Sequence, residues 1–133
     1  MDHRVQKVVS FIQADSSRKI RLHELSRLVN LSPWRLSHLF KQETGMSVLR
    51  FVHNVRLEQA KLLLEKTFLS IKEIRTRIGF HDESHFIKAF ARAHHTAPSN
   101  YRLRYWALNG NKPHIDQSPT QQDNLLNSKI DQY

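Results

Sequence analysis

Ile74-Arg75-Thr76-Arg77-Ile78-Gly79-Phe80-His81-Asp82-Glu83-Ser84-His85-Phe86-Ile87-Lys88-Ala89-Phe90 has the spacing of a helix-turn-helix. Gly79 supplies the turn, Asp82 can cap the helix that follows, and Phe86, Ala89 and Phe90 give that helix a buried face. The pattern occurs twice. Leu25-Ser26-Arg27-Leu28-Val29-Asn30-Leu31-Ser32-Pro33-Trp34-Arg35-Leu36-Ser37-His38-Leu39-Phe40 repeats it, with Leu25 matching Ile74 at an offset of 49. Leu36 and Phe40 match Phe86 and Phe90 at an offset of 50, so the second turn is one residue longer. Two such motifs in register on a basic chain predict a reader of two DNA segments.

Working outward from the pair, the apolar spacing is helical throughout, and glycine and proline are scarce before position 97. Val5, Val8, Val9 and Ile12 mark a first helix, and Leu22, Leu25, Leu28 and Val29 a second. Ser32 can cap a third, with Pro33 in its first turn, where a missing N–H costs nothing, and Gly45 ends it. A connecting helix is expected from about 47 to 66, on the order of 30 Å long. Ser70 and Glu73 have capping-box spacing for a fifth helix. Asp82 caps a sixth, and Pro98 opens a seventh that carries Tyr101 and Trp106. The fold class expected is therefore all-α, with seven helices and two helix-turn-helix subdomains joined by a long helix. The first motif covers about 22–43 and the second about 70–94, within a unit spanning 1–106. Residues 107–133 are polar and are expected to form a disordered tail.

The charge follows the same division. The formal net charge is +9. Residues 1–106 hold 19 Lys and Arg against 9 Asp and Glu, whereas residues 107–133 hold 2 against 3. A basic excess confined to the patterned region suits a surface laid on phosphates, although a solvated basic face would give the same count. The chain has no cysteine, which excludes disulfides, thiolate nucleophiles and cysteine-based zinc fingers. No apolar run approaches the roughly 20 residues of a membrane span. Nor does the N-terminus carry the apolar stretch of a signal peptide, so a cytoplasmic protein without a membrane role is expected.

In a helix-turn-helix the second helix enters the major groove. Once Leu36, Leu39 and Phe40 are assigned to the core, Trp34, Arg35, Ser37, His38, Lys41 and Gln42 occupy the other faces. Trp34, His38 and Lys41 follow i, i+4, i+7 spacing and share one face, suited to apolar contact with thymine methyls and donation to guanine. Trp34 could instead pack on a neighbouring helix. In the second motif the outward set is Ser84, Ile87, Lys88 and Ala91, with Glu83 and His85 beside them. An exposed Ile87 could meet a thymine methyl. Glu83 could accept from a cytosine amino group, or could merely complement the helix dipole as a first-turn acid. Poorer in long donors, the second surface is expected to add less specificity. Gln42, Arg92 and Arg102 are candidate contacts to the DNA backbone. Were the connecting helix to hold the readers about 34 Å apart, they would meet successive major grooves on one face of the duplex.

These residues resemble the DNA-binding domain of the AraC/XylS family of bacterial transcriptional regulators over about residues 3–106. The most specific part is Ile74…Ile78-Gly79-Phe80…Ser84-His85-Phe86…Phe90…Pro98-Ser99-Asn100-Tyr101-Arg102. It is supported by Leu39-Phe40-Lys41…Thr44-Gly45 and by Arg56-Leu57…Ala60…Leu63-Leu64. The resemblance implies double-stranded promoter DNA as partner, activation of transcription through contact with RNA polymerase, and no cofactor. It also implies a short stand-alone member, binding DNA as a monomer, or the C-terminal part of a longer protein. Two positions depart from the family pattern. Arg75 stands where a small residue is usual for close helix crossing, so it must snorkel outward or tilt the second motif. His95 replaces the usual glycine before the Pro98 turn, where a left-handed backbone would be strained.

Two rival functions are weaker. A metal enzyme could use His81 and His85, four apart, but no HExxH motif accompanies them, and His94-His95 lacks a nearby acidic partner in sequence. A non-specific architectural DNA binder would need cations without base-reading groups, which the partly acidic second helix argues against.

Overall fold

The computed structural model describes residues 1–110, and the tail expected to be disordered lies outside the described residues from 111 onward. Among the described residues there are seven α-helices and no strand: α1 (His3–Ala14), α2 (Leu22–Leu28), α3 (Pro33–Thr44), α4 (Val48–Lys66), α5 (Ile71–Ile78), α6 (Glu83–His94) and α7 (Pro98–Asn109). This is the all-α, two-motif architecture that the periodicity predicts. At the C-terminal end it departs from expectation. α7 continues past Trp106 to Asn109, where Gly110 adopts the left-handed conformation (φ 61°) and its N–H bonds Trp106 O. Polar composition from Ala107 onward obscured that last turn.

The chain forms two compact units that divide between Val55 and Arg56. In the first, Val5, Val8 and Ile12 of α1, Leu25 of α2, and Leu36 and Phe40 of α3 are fully buried together. Val48 and Val52, from the start of α4, close the same cluster. In the second, Leu57, Ala60, Leu63 and Leu64 from the rest of α4 pack with Ile74, Ile78, Phe80, Phe86 and Phe90. The i, i+3, i+4 spacing that marks each helix in sequence is thus the spacing of the residues it buries.

The repeat extends to the helix ends. Ser32 and Asp82 cap α3 and α6 by accepting from the N–H of the third residue on, Arg35 and His85 respectively. Asn30 (φ 57°) and Gly79 (φ 90°) turn the chain before them. Gly45 (φ 79°) and His95 (φ 65°) end them, each with its N–H bonded four residues back. His95 therefore does adopt the left-handed backbone that disfavours a side chain. Ser70 and Glu73 form the full capping box on α5.

The C-terminal end of α4 is closed by α7. Trp106 donates its indole N–H to Glu65 O at 3.1 Å. Arg102 donates to the carbonyls of Leu64 (3.0 Å), Leu69 (2.6 Å), Thr67 (3.1 Å) and Leu63 (3.4 Å). These bonds gather carbonyls of the last turn of α4 and of the loop that follows it, where backbone donors are scarce, although Leu63 O also accepts from Thr67 N–H at 3.1 Å.

Candidate nucleic-acid interface

On α3 the buried stripe of Leu36 and Phe40 leaves Trp34, Arg35, His38, Lys41 and Gln42 exposed and Ser37 half-buried. Trp34 is 70% exposed, so the alternative in which it packs on a neighbouring helix does not hold. Its ring instead lies against His38, with centroids 4.0 Å apart and planes tilted by 43°. Helical spacing of four brings the two rings together, and each restricts the rotamers of the other. The result is a paired aromatic surface edged by cations, at the start of a helix anchored by Ser32 and Pro33. Such a surface can meet base edges and methyl groups at low entropic cost.

On α6 the exposed residues are Glu83, Ser84, His85, Lys88, Arg92 and Ala93, whereas Ala91, expected to face outward, is half-buried. The expectation for Ile87 needs correction. It is half-buried and packs against the second core, because it neighbours Phe86 on the helix and sits at the edge of the buried stripe. Its counterpart fifty positions earlier is the half-buried Ser37. Glu83 occupies the first turn of α6, where an acid favours the helix dipole whatever else it does. His85 lies with its ring 5.4 Å from Phe80.

Arg102 also needs correction. Expected at the DNA backbone, its guanidinium is instead committed to four carbonyls around the end of α4, and it stacks over Trp106 at 5.1 Å. Gln42 and Arg92 remain exposed, one near the end of each candidate reading helix.

The histidines considered for a metal site are dispersed. His81 is exposed in the turn. His94 lies against Phe90 (4.5 Å) and Tyr101 (6.1 Å), and His95 is exposed at the cap. Among the described residues no group of three His, Asp or Glu comes together in a way that could hold a metal ion. No helix among them is long and apolar enough to cross a membrane.

Arg75 is the residue whose position the sequence left open. It turns toward the helix-turn-helix loop, where one guanidinium nitrogen donates to Phe80 O at 3.0 Å and to His81 O at 2.9 Å. A cation at a crossing position, together with a turn one residue longer than its repeat, was the signal available for this contact.

Comparison with known proteins agrees with this geometry. A family model described as a helix-turn-helix domain matches residues 25–104. The arabinose operon regulatory protein of Escherichia coli is 39% identical over 105 residues, covering 77% of this chain. The chain spans only 35% of that relative's length. A probable AraC family transcriptional regulator from Rhodopseudomonas palustris superimposes with a TM-score of 0.73 at 25% identity, covering 78% of this chain and 98% of that one. The DNA-binding domain of AdpA, solved in complex with a target DNA, shares the fold with a TM-score of 0.76 at 24% identity, covering 81% and 97%. Two helix-turn-helix motifs with matching caps, a helix that contributes to both cores and a family match over most of the described chain lead to one assignment: this chain belongs to the AraC-type helix-turn-helix family of DNA-binding transcriptional regulators.

Proposed function

We propose that the chain is a sequence-specific regulator of transcription that places α3 and α6 in successive major grooves of promoter DNA. In this reading α3 is the principal reader and α6 the lesser one. The observation that carries it is the exposed Trp34–His38 stack, continued by Lys41 on the same face. An exposed tryptophan held against a histidine does nothing for the core, whereas it offers thymine methyls an apolar surface and guanine a donor. Arg35, Lys41 and Gln42 supply donors around it. On α6, Ser84, His85 and Lys88 face bases, Glu83 accepts from a cytosine amino group or serves the dipole, and Arg92 grips phosphate. The exposed part of Ile87 adds an apolar edge.

Further support comes from AdpA, whose matching domain was solved with target DNA, and from the arabinose operon regulator, whose matching segment is the size of this one. Activation through RNA polymerase, monomeric binding and a cytoplasmic setting complete the proposal. It is tested by His38→Ala, measured against duplexes differing one base pair at a time. The expected result is a loss of ~1–3 kcal/mol of discrimination confined to particular bases. Equal weakening on every duplex would remove His38 from the base-reading set.

A further inference from the structure

The two turns differ in length, and only the longer one is held by a long side chain. In the first, Leu31 alone separates the left-handed Asn30 from the cap Ser32, and its N–H donates to Ser26 O at 3.0 Å. Ser26 is 2% exposed and spends its hydroxyl inside α2, on His23 O at 2.8 Å. In the second, both Phe80 and His81 separate the left-handed Gly79 from the cap Asp82. The matching backbone bond persists, from Phe80 N–H to Arg75 O at 3.1 Å. Arg75 occupies the place of Ser26, and its side chain closes the loop from the other side by bonding Phe80 O and His81 O. Both carbonyls it grasps therefore belong to the pair that stands where the shorter turn has Leu31 alone.

An added loop residue brings two further soft torsions, which would otherwise let the following helix shift. Charge-assisted bonds from one nitrogen to two successive carbonyls restrain those torsions. The arrangement has a cost, since Arg75 Nε is buried without a hydrogen-bond partner. Packing alone does not draw a guanidinium into such a place, whereas the two carbonyls do. Asp82 follows His81 directly and caps α6 through His85 N–H at 2.9 Å. Ser84 and His85 thus begin the helix just beyond the grasped carbonyl of His81, and Lys88 follows about one turn later.

We infer that Arg75 is a positioning residue for the second DNA reader: it holds the longer turn in one geometry and so sets how strongly α6 discriminates bases. The inference rests on the proposal that α6 faces bases. It is tested on the full chain with Arg75→Met, which keeps much of the aliphatic stem and removes both bonds, and Arg75→Lys, which keeps one charged donor. Each protein is titrated with a two-block duplex, with the same duplex scrambled in the first block, and with it scrambled in the second. Wild type should lose roughly tenfold or more on scrambling the second block, by the usual cost of mismatched base pairs. Arg75→Met should reduce that penalty to about twofold and leave the first-block penalty unchanged, with Arg75→Lys intermediate. Amide exchange at Phe80 and His85 should accelerate in Arg75→Met, while Leu31 and Arg35 exchange as before.

A wild-type second-block penalty retained in Arg75→Met overturns the inference. So does equal weakening on all three duplexes, which would mean a general structural role. Should wild type itself ignore the second block, the reading of α6 fails first, and the positioning role falls with it.

Discussion

The Arg102 guanidinium reaches the carbonyls of Leu63, Leu64, Thr67 and Leu69, at the end of α4 and in the loop that follows it. Burial lowers its pKa from the ordinary arginine value, because desolvation disfavours the charged guanidinium. Hydrogen bonds from a charged group to such carbonyls are individually strong, and removing the donor leaves acceptors unsatisfied. Arg102→Met should therefore cost ~3 kcal/mol of stability in urea unfolding, with partial recovery in Arg102→Lys. The same substitution separates this role from a phosphate contact. Loss of a phosphate contact would lower the salt slope of DNA binding by about 1, and the structure predicts an unchanged slope at a temperature where the variant stays folded. Nothing local in the sequence distinguishes the two roles, because every carbonyl that Arg102 bonds lies 33 to 39 residues away. Trp34 differs in this respect. Its spacing from His38 and Lys41 put it on one face from the start, and only its exposure had to be learned from the structure.

At the scale of elements, α6 carries a titratable group that its repeat, α3, lacks. His94 stands where α3 has Thr44, and its Nε2 is buried without a hydrogen-bond partner, beside the rings of Phe90 and Tyr101. Burial lowers its pKa below 6.5. Glu58 opposes that shift, Lys61 and His95 reinforce it, and a backbone hydrogen bond at Leu57 favours the charged ring. As pH falls through 6.5 the unfolded chain takes up this proton before the folded one does, so protonation favours unfolding. The stability contribution is complete above 6.5 and declines below it until the folded ring also protonates. Urea unfolding near pH 7.5 and near pH 5.5 should show a larger acid loss for wild type than for His94→Thr. An identical loss in both would contradict the account. The elements themselves were largely legible. Apolar spacing located all seven helices, and Ser32, Ser70, Asp82, Gly45 and Gly79 marked their ends by local capping chemistry. The boundary slipped at Asn109, although Gly110 ends α7 by the same left-handed cap as Gly45, because polar composition from Ala107 onward does not by itself stop a helix already anchored by packing. Ile87 was misplaced for a related reason: a residue at the edge of an apolar stripe can face either way, and the neighbouring core decides.

For the molecule as a whole, the paired motifs, the basic excess in residues 1–106 and the family membership converge on the reading of DNA. Both motifs have the same capped ends and the same buried apolar pattern, so both are built to present a helix. They differ in what they present. α3 offers an aromatic stack with long donors, whereas α6 offers a short polar and partly acidic set behind a turn closed by Arg75. The most direct test of double readout is selection of bound sequences from a random duplex pool near physiological salt. The account predicts two conserved blocks with centres about 10 bp apart, the one read by α3 being the stronger. Failure to recover any consensus, with affinity falling steeply with salt on every sequence, would contradict it and leave a non-specific binder of the phosphate backbone.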